Sequence, residues 1–160
     1  MPDQHTKSNG EERALNAGVM VPLELPDLRV LEQHCSVDGP ISIQVIAKTS
    51  PMTCPHCQGE CGKIHDCRLR AKREINRRGY AVRLLVQKRR FACPRCATTC
   101  TEPDEACGRR RRTTSRLRAS IGKQVIDRPG AHVSQDEEIG PRFARTCFQE
   151  HIAPQLERRG

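Results

Sequence analysis

Apolar and polar residues alternate along two stretches of the chain, and this period of two is typical of half-buried strands. The first alternation covers residues 41–45 and follows an Asp-Gly turn signal, so a hairpin over residues 28–47 is predicted. The second runs over residues 80–91, with apolar side chains on one face and cations on the other. An antiparallel sheet with one side facing solvent fits both stretches.

Helical spacing replaces the alternation in the last third of the chain. Apolar residues recur every three to four positions over residues 117–126, and Thr113 or Thr114 is suited to cap this helix at its N-terminus. A Pro-Gly pair at 129–130 ends the helix. Two further short helices are predicted, over residues 130–138 and 141–152. No internal repeat is apparent along the chain.

The composition leaves little material for an aromatic core. The 160 residues include one Tyr, three Phe and no Trp, whereas ten are Cys. Small domains with thin cores usually depend on a metal or on disulfides. No stretch approaches the roughly 18 apolar residues of a membrane span, and the polar N-terminus is unlike a secretory signal. We therefore expect a cytoplasmic protein without a membrane partner. In the reducing cytosol, paired cysteines are expected to be metal ligands rather than disulfides.

Two C-x-x-C motifs carry the clearest chemical signal. Cys54 and Cys57 enclose Pro-His, and Cys93 and Cys96 enclose Pro-Arg. Each motif supplies two thiolates on one side of an ion, and two motifs complete the tetrahedral shell that Zn²⁺ prefers. The sequence therefore predicts a zinc ribbon with these four cysteines as ligands and Zn(2+) as cofactor. A redox role for Cys54 and Cys57 is the alternative, but the βαβ context of that motif is missing.

Three further cysteines lie near these motifs, at Cys61, Cys67 and Cys100. Any of them could replace a ligand, or bind a second ion together with His56 or His65. The alternative, which we favour, is that they are small apolar fillers or exposed thiols.

Positive charge is concentrated in the middle of the chain. The net charge is +9, and residues 68–118 hold 17 of the 28 basic residues but only 4 of the 19 acidic ones. Fifteen of these cations are Arg, whose planar fork of donors suits phosphate oxygens. A solvated charged face is the alternative to a polyanion contact. The candidate phosphate contacts are Arg89, Arg90, Arg109, Arg110, Arg111, Arg112 and Arg116.

Several of these segments together resemble a known family. The segment 88–96 has the form K-R-R-F-x-C-P-x-C. It is followed by T-E-P at 101–103, by four consecutive arginines at 109–112, which we call the Arg run, and by T-T-x-R-L-R at 113–118. With the first C-P-x-C, this order resembles the N-terminal region of insertion-sequence transposases of the ISL-three family. The resemblance covers roughly residues 23–152 and is strongest over 54–103. It implies a zinc-binding domain, then a helix-turn-helix, and in the family a catalytic domain of the acidic-triad, ribonuclease-H-like kind.

The resemblance matches Cys54, Cys57, Cys93 and Cys96 to the family's zinc ligands. The chain departs from the family at Cys100, where an aromatic residue usually precedes T-E-P. A second departure is Glu138, where glycine is expected between the last two helices.

The resulting expectation is an α+β protein, in which a small antiparallel-sheet zinc-ribbon domain precedes a three-helix helix-turn-helix domain. The expected units are a disordered leader (1–22), a zinc-binding β domain (23–103), an Arg-rich linker (104–112) and a helix-turn-helix DNA-binding domain (113–155).

The expected function is that of a truncated or split transposase, a zinc-dependent module that recognises transposon terminal repeats in double-stranded DNA. Phosphate contacts would set affinity and base contacts would set sequence preference. Arg suits guanine and Gln suits adenine in the major groove. The outward face of the last helix offers Arg142, Arg145, Thr146 and Gln149 for such contacts.

Catalysis by this chain alone is not expected, because its carboxylates after residue 112 lack a strand scaffold that would converge them on metal ions. The transposase resemblance places the protein at the nucleoid, and a homo-oligomer through separately encoded domains is compatible with it. The alternative function is a free-standing zinc-ribbon module that binds RNA or another protein. Few aromatic residues lie among the cations, which disfavours stacking on single-stranded bases.

Overall fold

The computed structural model describes residues 22–48, 52–104, 106–108 and 110–159, so nearly all of the predicted leader lies outside the described residues. Strands precede helices along the described chain, and the α+β class is confirmed. The strands are β1 (Leu28–His34), β2 (Ile41–Ala47), β3 (Met52–Thr53), β4 (Glu60–Cys61), β5 (Lys63–Arg77), β6 (Tyr80–Ala92) and β7 (Thr99–Thr101). The helices are α1 (Ser115–Asp127), α2 (Gly130–Asp136), α3 (Pro141–His151) and α4 (Ala153–Glu157).

The main sheet is mixed, and the prediction of a wholly antiparallel sheet is wrong. Its order is β1-β2-β6-β5, with β7 paired to β6 and a separate β3-β4 pair. β1 and β2 form the predicted antiparallel hairpin, but β2 and β6 are parallel. The chain reverses between β3 and β4 and again between β5 and β6, so β6 returns in the direction of β2. Side chains alternate with a period of two in parallel and antiparallel strands alike, so the sequence pattern could not distinguish the two orientations.

β5 and β6 form a long antiparallel hairpin that dominates the β region. Its connection consists of Arg78 and Gly79, both with positive φ, at 51° and 80°. Two residues with φ above zero are typical of the tight turns that match strand twist. The hairpin reverses the chain direction, so the second C-x-x-C motif lies close to the first.

Among the described residues, apolar side chains collect in three clusters rather than in one core. The sheet cluster is built on the alternating residues of β2 and β6, and a second cluster surrounds the cysteines. The third cluster holds α1, α2 and α3 together and includes Leu117, Ile121, Val133, Ala144 and Cys147.

The helices begin and end close to their predicted positions. Thr114 caps α1, and its side-chain oxygen accepts a hydrogen bond of 3.1 Å from the backbone N–H of Leu117. Between α2 and α3, Glu138 adopts φ 51°, a left-handed conformation that favours glycine. This is the position where the resemblance led us to expect glycine. α4 was not predicted.

The segment predicted as a linker is attached to the sheet. The backbone N–H of Arg73 on β5 donates to the carbonyl of Arg112 at 2.8 Å, and the N–H of Thr114 donates to the carbonyl of Arg73 at 3.0 Å. Beside them, the buried carboxylate of Glu74 accepts hydrogen bonds from Thr114 and Arg116. Arg111 and Arg112 therefore lie along β5 before α1 begins.

Candidate metal centre

The two C-P-x-C motifs belong to a longer repeat that the sequence analysis missed. The pattern C-P-x-C-x-x-x-C occurs twice, at residues 54–61 and 93–100. The signal was available in the spacing, because Cys61 follows Cys57 at the same distance as Cys100 follows Cys96. We call the two copies the first and the second knuckle.

The two knuckles have the same backbone hydrogen bonds. In the first, the N–H of Cys54 donates to Gly59 at 2.8 Å and the N–H of Gln58 donates to Cys54 at 2.9 Å. Gln58 has φ 60°, which closes the turn. A short pair of strands flanks each knuckle, β3 with β4 and β6 with β7. The equivalent bonds of the second knuckle join Cys93 to Thr98 at 2.9 Å and Ala97 to Cys93 at 3.0 Å, with φ 57° at Ala97.

The knuckles bring four sulfur atoms together. The Sγ atoms of Cys54, Cys57, Cys93 and Cys96 all lie within 4.8 Å of one another. Cys54 and Cys96 are 3.7 Å apart, and Cys57 and Cys93 are 3.5 Å apart. A tetrahedron with metal–sulfur bonds of about 2.3 Å has edges of about 3.8 Å. The four cysteines predicted as ligands therefore fit one metal ion and could hold it.

Backbone N–H groups point at these sulfurs and favour their charged form. The N–H of Cys57 lowers the pKa of Cys54 to about 5, although burial opposes the shift. The N–H of Cys96 lowers the pKa of Cys93 in the same way. At Cys57 the N–H of Gly59 also acts to lower the pKa, but the Cys93 sulfur and burial raise it to about 12. One sulfur of each knuckle is thus prepared as the thiolate that binds metals.

The last cysteine of each knuckle lies beneath the four-sulfur group. Cys61 and Cys100 are buried against Phe91. The Cys100 sulfur is 3.6 Å from that of Cys54, and the Cys61 sulfur is 3.8 Å from the carbonyl of Gly59. Burial raises the pKa of Cys61 to about 12 and also raises that of Cys100. This environment supports their role as apolar fillers, while Cys67 is an exposed thiol on β5.

Two arginines proposed as DNA contacts are used inside the protein. Arg89 is 8% exposed and forms an ion pair of 2.9 Å with the buried carboxylate of Glu102. Its guanidinium also lies over the ring of Phe91, at 5.4 Å from the centroid. Arg116 pairs with Glu74 at 3.2 Å and donates to the carbonyl of Leu23 at 2.8 Å. Arg89 and Arg116 thus already have internal carboxylate partners, and their assignment as DNA contacts stays a prediction.

The other cations of the middle region face solvent to different degrees. Arg90 is partly exposed and pairs with Asp66 at 3.0 Å, and Arg111 pairs with Glu150 at 2.9 Å. Arg110 and Arg112 are exposed. Arg109 lies outside the described residues.

The T-E-P segment explains why Arg89 is buried. The carboxylate of Glu102 accepts a hydrogen bond from the backbone N–H of Arg89 at 2.8 Å, as well as the guanidinium contacts. The backbone N–H of Glu102 donates to the carbonyl of Arg89 at 3.1 Å. Sequence reasoning included the T-E-P segment in the resemblance but did not assign this role to Glu102.

α3 presents the predicted polar face. Arg142, Arg145 and Gln149 are exposed, and within the described part of the chain their side chains make no hydrogen bond or ion pair. The Thr146 hydroxyl donates to the carbonyl of Arg142 at 2.9 Å, so its hydrogen is already used within the helix.

No protein-family model, curated protein or solved structure matches this chain. None of the helices in the described ranges is long and apolar enough to cross a membrane. The geometry therefore defines an α+β protein with a four-cysteine group that could hold a metal ion.

Proposed function

We propose that this protein is a zinc-dependent DNA-binding module similar to the N-terminal region of ISL-three family transposases. The observation that carries the proposal is the pair of equivalent knuckles that bring four cysteine sulfurs within 4.8 Å of one another. A helical unit follows these knuckles and is attached to the same hairpin through Arg73 and Thr114. Both features are accounted for if a metal-stabilised sheet supports helices that recognise the DNA sequence.

Zinc is the metal that the donor set favours. Four thiolates at tetrahedral spacing select Zn²⁺ or iron over the hard ions, which prefer oxygen ligands. Because all four ligands come from the protein, no position stays open for substrate, and the ion would have a structural role. Its binding energy would then contribute directly to folding.

α3 is the proposed reading helix. It begins with Pro141 after the Glu138 turn, and Ala144 and Cys147 anchor its inner face against the other helices. Its outer face offers Arg142, Arg145 and Gln149. A helix that is held on one face and polar on the other suits the major groove, where Arg recognises guanine and Gln recognises adenine.

Strand transfer is not part of the proposed function. Such chemistry needs carboxylates that converge on metal ions. Asp136 is ion-paired with Arg128, and the carboxylate of Glu137 accepts a hydrogen bond from Gln124. These carboxylates lie on or beside α2 and are engaged with neighbouring side chains.

The test is selection of bound sequences from random duplex DNA, followed by titration with the selected duplex and a scrambled one. In the zinc-loaded full chain, Arg145→Ala should erode the preference for the selected duplex by about 1–3 kcal/mol, because one bidentate base contact is lost. Gln135→Ala, at an exposed position of α2, is the matched control and should leave the preference unchanged.

Two results would contradict the proposal. One is the absence of any enriched sequence. The other is an equal loss of binding to both duplexes in the Arg145→Ala variant. Stronger competition by single-stranded RNA than by duplex DNA would favour the RNA-binding alternative.

A further inference from the structure

An open groove of about 1270 Å³ lies on the face of the β5-β6 hairpin. Its lining comes mainly from three parts of the chain: residues of β5 and β6, which we call the floor, the segment 101–104, which we call the wall, and residues 110–112, which we call the rim. We call it the basic groove, because eight cations but only two carboxylates line it among the described residues. The cations are Arg68, Arg70, Lys72, Lys88, Arg90, Arg110, Arg111 and Arg112, and the carboxylates are Glu102 and Asp104.

The carboxylates neutralise only part of this charge. Asp104 lies between Lys72 at 3.3 Å and Lys88 at 3.8 Å, so one carboxylate serves two cations. Glu102 is committed to the buried Arg89. Among the described residues, no carboxylate forms an ion pair with Arg70, with Arg110 or with Arg112. The floor and the rim of the groove therefore both keep unneutralised guanidinium groups.

The rim is held in place by backbone hydrogen bonds. The ammonium of Lys72 donates to the carbonyl of Arg111, and the N–H of Arg73 donates to the carbonyl of Arg112 at 2.8 Å. The Arg111 guanidinium pairs with Glu150 on α3 at 2.9 Å. Cations on a fixed backbone lose less conformational entropy on binding than cations on a flexible tail. The basic groove is thus organised before any ligand enters it.

We propose that the basic groove binds the phosphate backbone of duplex DNA, which deepens the proposed function and rests on it. Arg forks match phosphate oxygens, and a row of them matches a repeating polyanion. None of the described residues that line the groove is aromatic, so they offer no platform on which unpaired bases could stack. The Arg111–Glu150 contact joins the rim to α3, so the same duplex can meet the groove and the reading helix.

Sequence reasoning missed the floor of this groove. Arg68 and Arg70 lie on β5, a strand that the hydrophobic pattern did not reveal, whereas the Arg run was prominent in the sequence. The two residues point to the same face because they are two positions apart on a strand. Both are exposed, and the only ion pair among their described contacts is a long one of 3.8 Å between Arg68 and Asp66.

The experiment measures binding of a mixed-sequence duplex by the zinc-loaded full chain over a series of salt concentrations. The Arg68→Ala/Arg70→Ala variant should flatten the slope of log K against log salt by roughly 0.9 for each lost phosphate contact. Arg29→Ala/Arg83→Ala is the matched control, because it removes the same charge from exposed strand positions outside the groove. The control should change the slope much less. Unchanged metal content and far-UV circular dichroism verify that both variants fold.

Different results would contradict the proposal for the basic groove and the proposal for the reading helix. Equal slopes in the groove variant and its control, with Arg145→Ala still reducing sequence preference, would overturn the groove and leave the proposed function intact. A flattened slope with unchanged preference in Arg145→Ala would support the groove and contradict α3 as the reader. If a single strand of the same sequence competes as well as the duplex, the assignment to duplex DNA is overturned. Failure to bind any duplex would overturn both proposals.

Discussion

Cys57 and Cys96 occupy equivalent places in the two knuckles, and each contributes one corner of the four-sulfur group. Replacing either with Ser exchanges a soft thiolate for a hydroxyl that stays protonated. We expect Cys57→Ser and Cys96→Ser to lower the zinc content well below the value of about one per chain expected for a four-cysteine site. Elemental analysis of anaerobically purified protein measures this content.

Two other serine variants serve as controls for this prediction. Cys67 is an exposed thiol on β5, so Cys67→Ser should keep the full metal content. Cys100→Ser should also keep it, because Cys100 is buried in the cluster around Phe91 and is not one of the four cysteines whose sulfurs all lie within 4.8 Å of one another. Loss of metal in Cys100→Ser, or full content in Cys57→Ser, would show that the ligand set is wrong.

Single residues differ in how far their roles can be predicted from sequence. The grouping of Cys54, Cys57, Cys93 and Cys96 was predictable, because metal ligands recur at short, fixed spacings. Arg89 was not, since its neighbour Glu102 lies thirteen positions away and only the β6-β7 pairing brings the two together. The Arg run in the sequence looked the same whether its side chains were free or internally paired.

At the scale of elements, α1 packs closely against α3 at Gly122. A Cβ atom built there would lie 2.9 Å from the carbonyl oxygen of Cys147, which is backbone and cannot turn aside. Gly122→Ala should therefore destabilise the helical unit by about 1–3 kcal/mol, despite the better helix propensity of alanine. Thermal unfolding followed by circular dichroism measures the change.

Gly130 offers a matched control at the start of α2. A Cβ atom there would have no neighbour within 4 Å. Gly130→Ala should be neutral or stabilise the protein by up to about 1 kcal/mol. If both alanine variants shift the midpoint alike, the close packing of α1 on α3 is not what requires glycine at 122.

Elements were predictable where one face is buried and the other is not. β2, β6 and α1 each have a buried stripe of the right period, and their positions agree with prediction. β5 was missed because side chains on both of its faces are exposed over most of residues 63–71, so no alternation appears. The parallel pairing of β2 with β6 depends on reversals that local patterns do not encode.

At the scale of the whole molecule, the three apolar clusters of the described residues differ in the side chains that stabilise them. The buried residues of the cluster around the cysteines are four cysteines and Phe91, whereas the sheet and helix clusters are built mainly on aliphatic side chains. Structural zinc typically contributes about 10–16 kcal/mol, comparable with the entire stability of a domain. Removing the metal should therefore unfold the knuckles and the adjoining part of the β5-β6 hairpin.

Hydrogen exchange before and after chelation tests this expectation. Amide protection should fall most over residues 52–101, and α1 and α3 should keep more of theirs because Leu117 and Ile121 pack in a separate cluster. Re-addition of zinc should restore the protection. Protection that survives chelation over residues 52–101 would show that the knuckles fold without metal.

The position of the second knuckle at the end of β6 has a consequence for strand alignment. Lys63 pairs with Ala92, directly beside Cys61 and Cys93, so the hairpin pairing fixes where the second pair of thiols arrives. A slip of one residue would move Cys93 by about 3.4 Å and turn its side chain to the opposite face. An ion that requires four sulfurs at one spacing accepts only one alignment. A bound metal ion would thus select the correct register of a hairpin whose exposed, arginine-rich faces specify that register weakly.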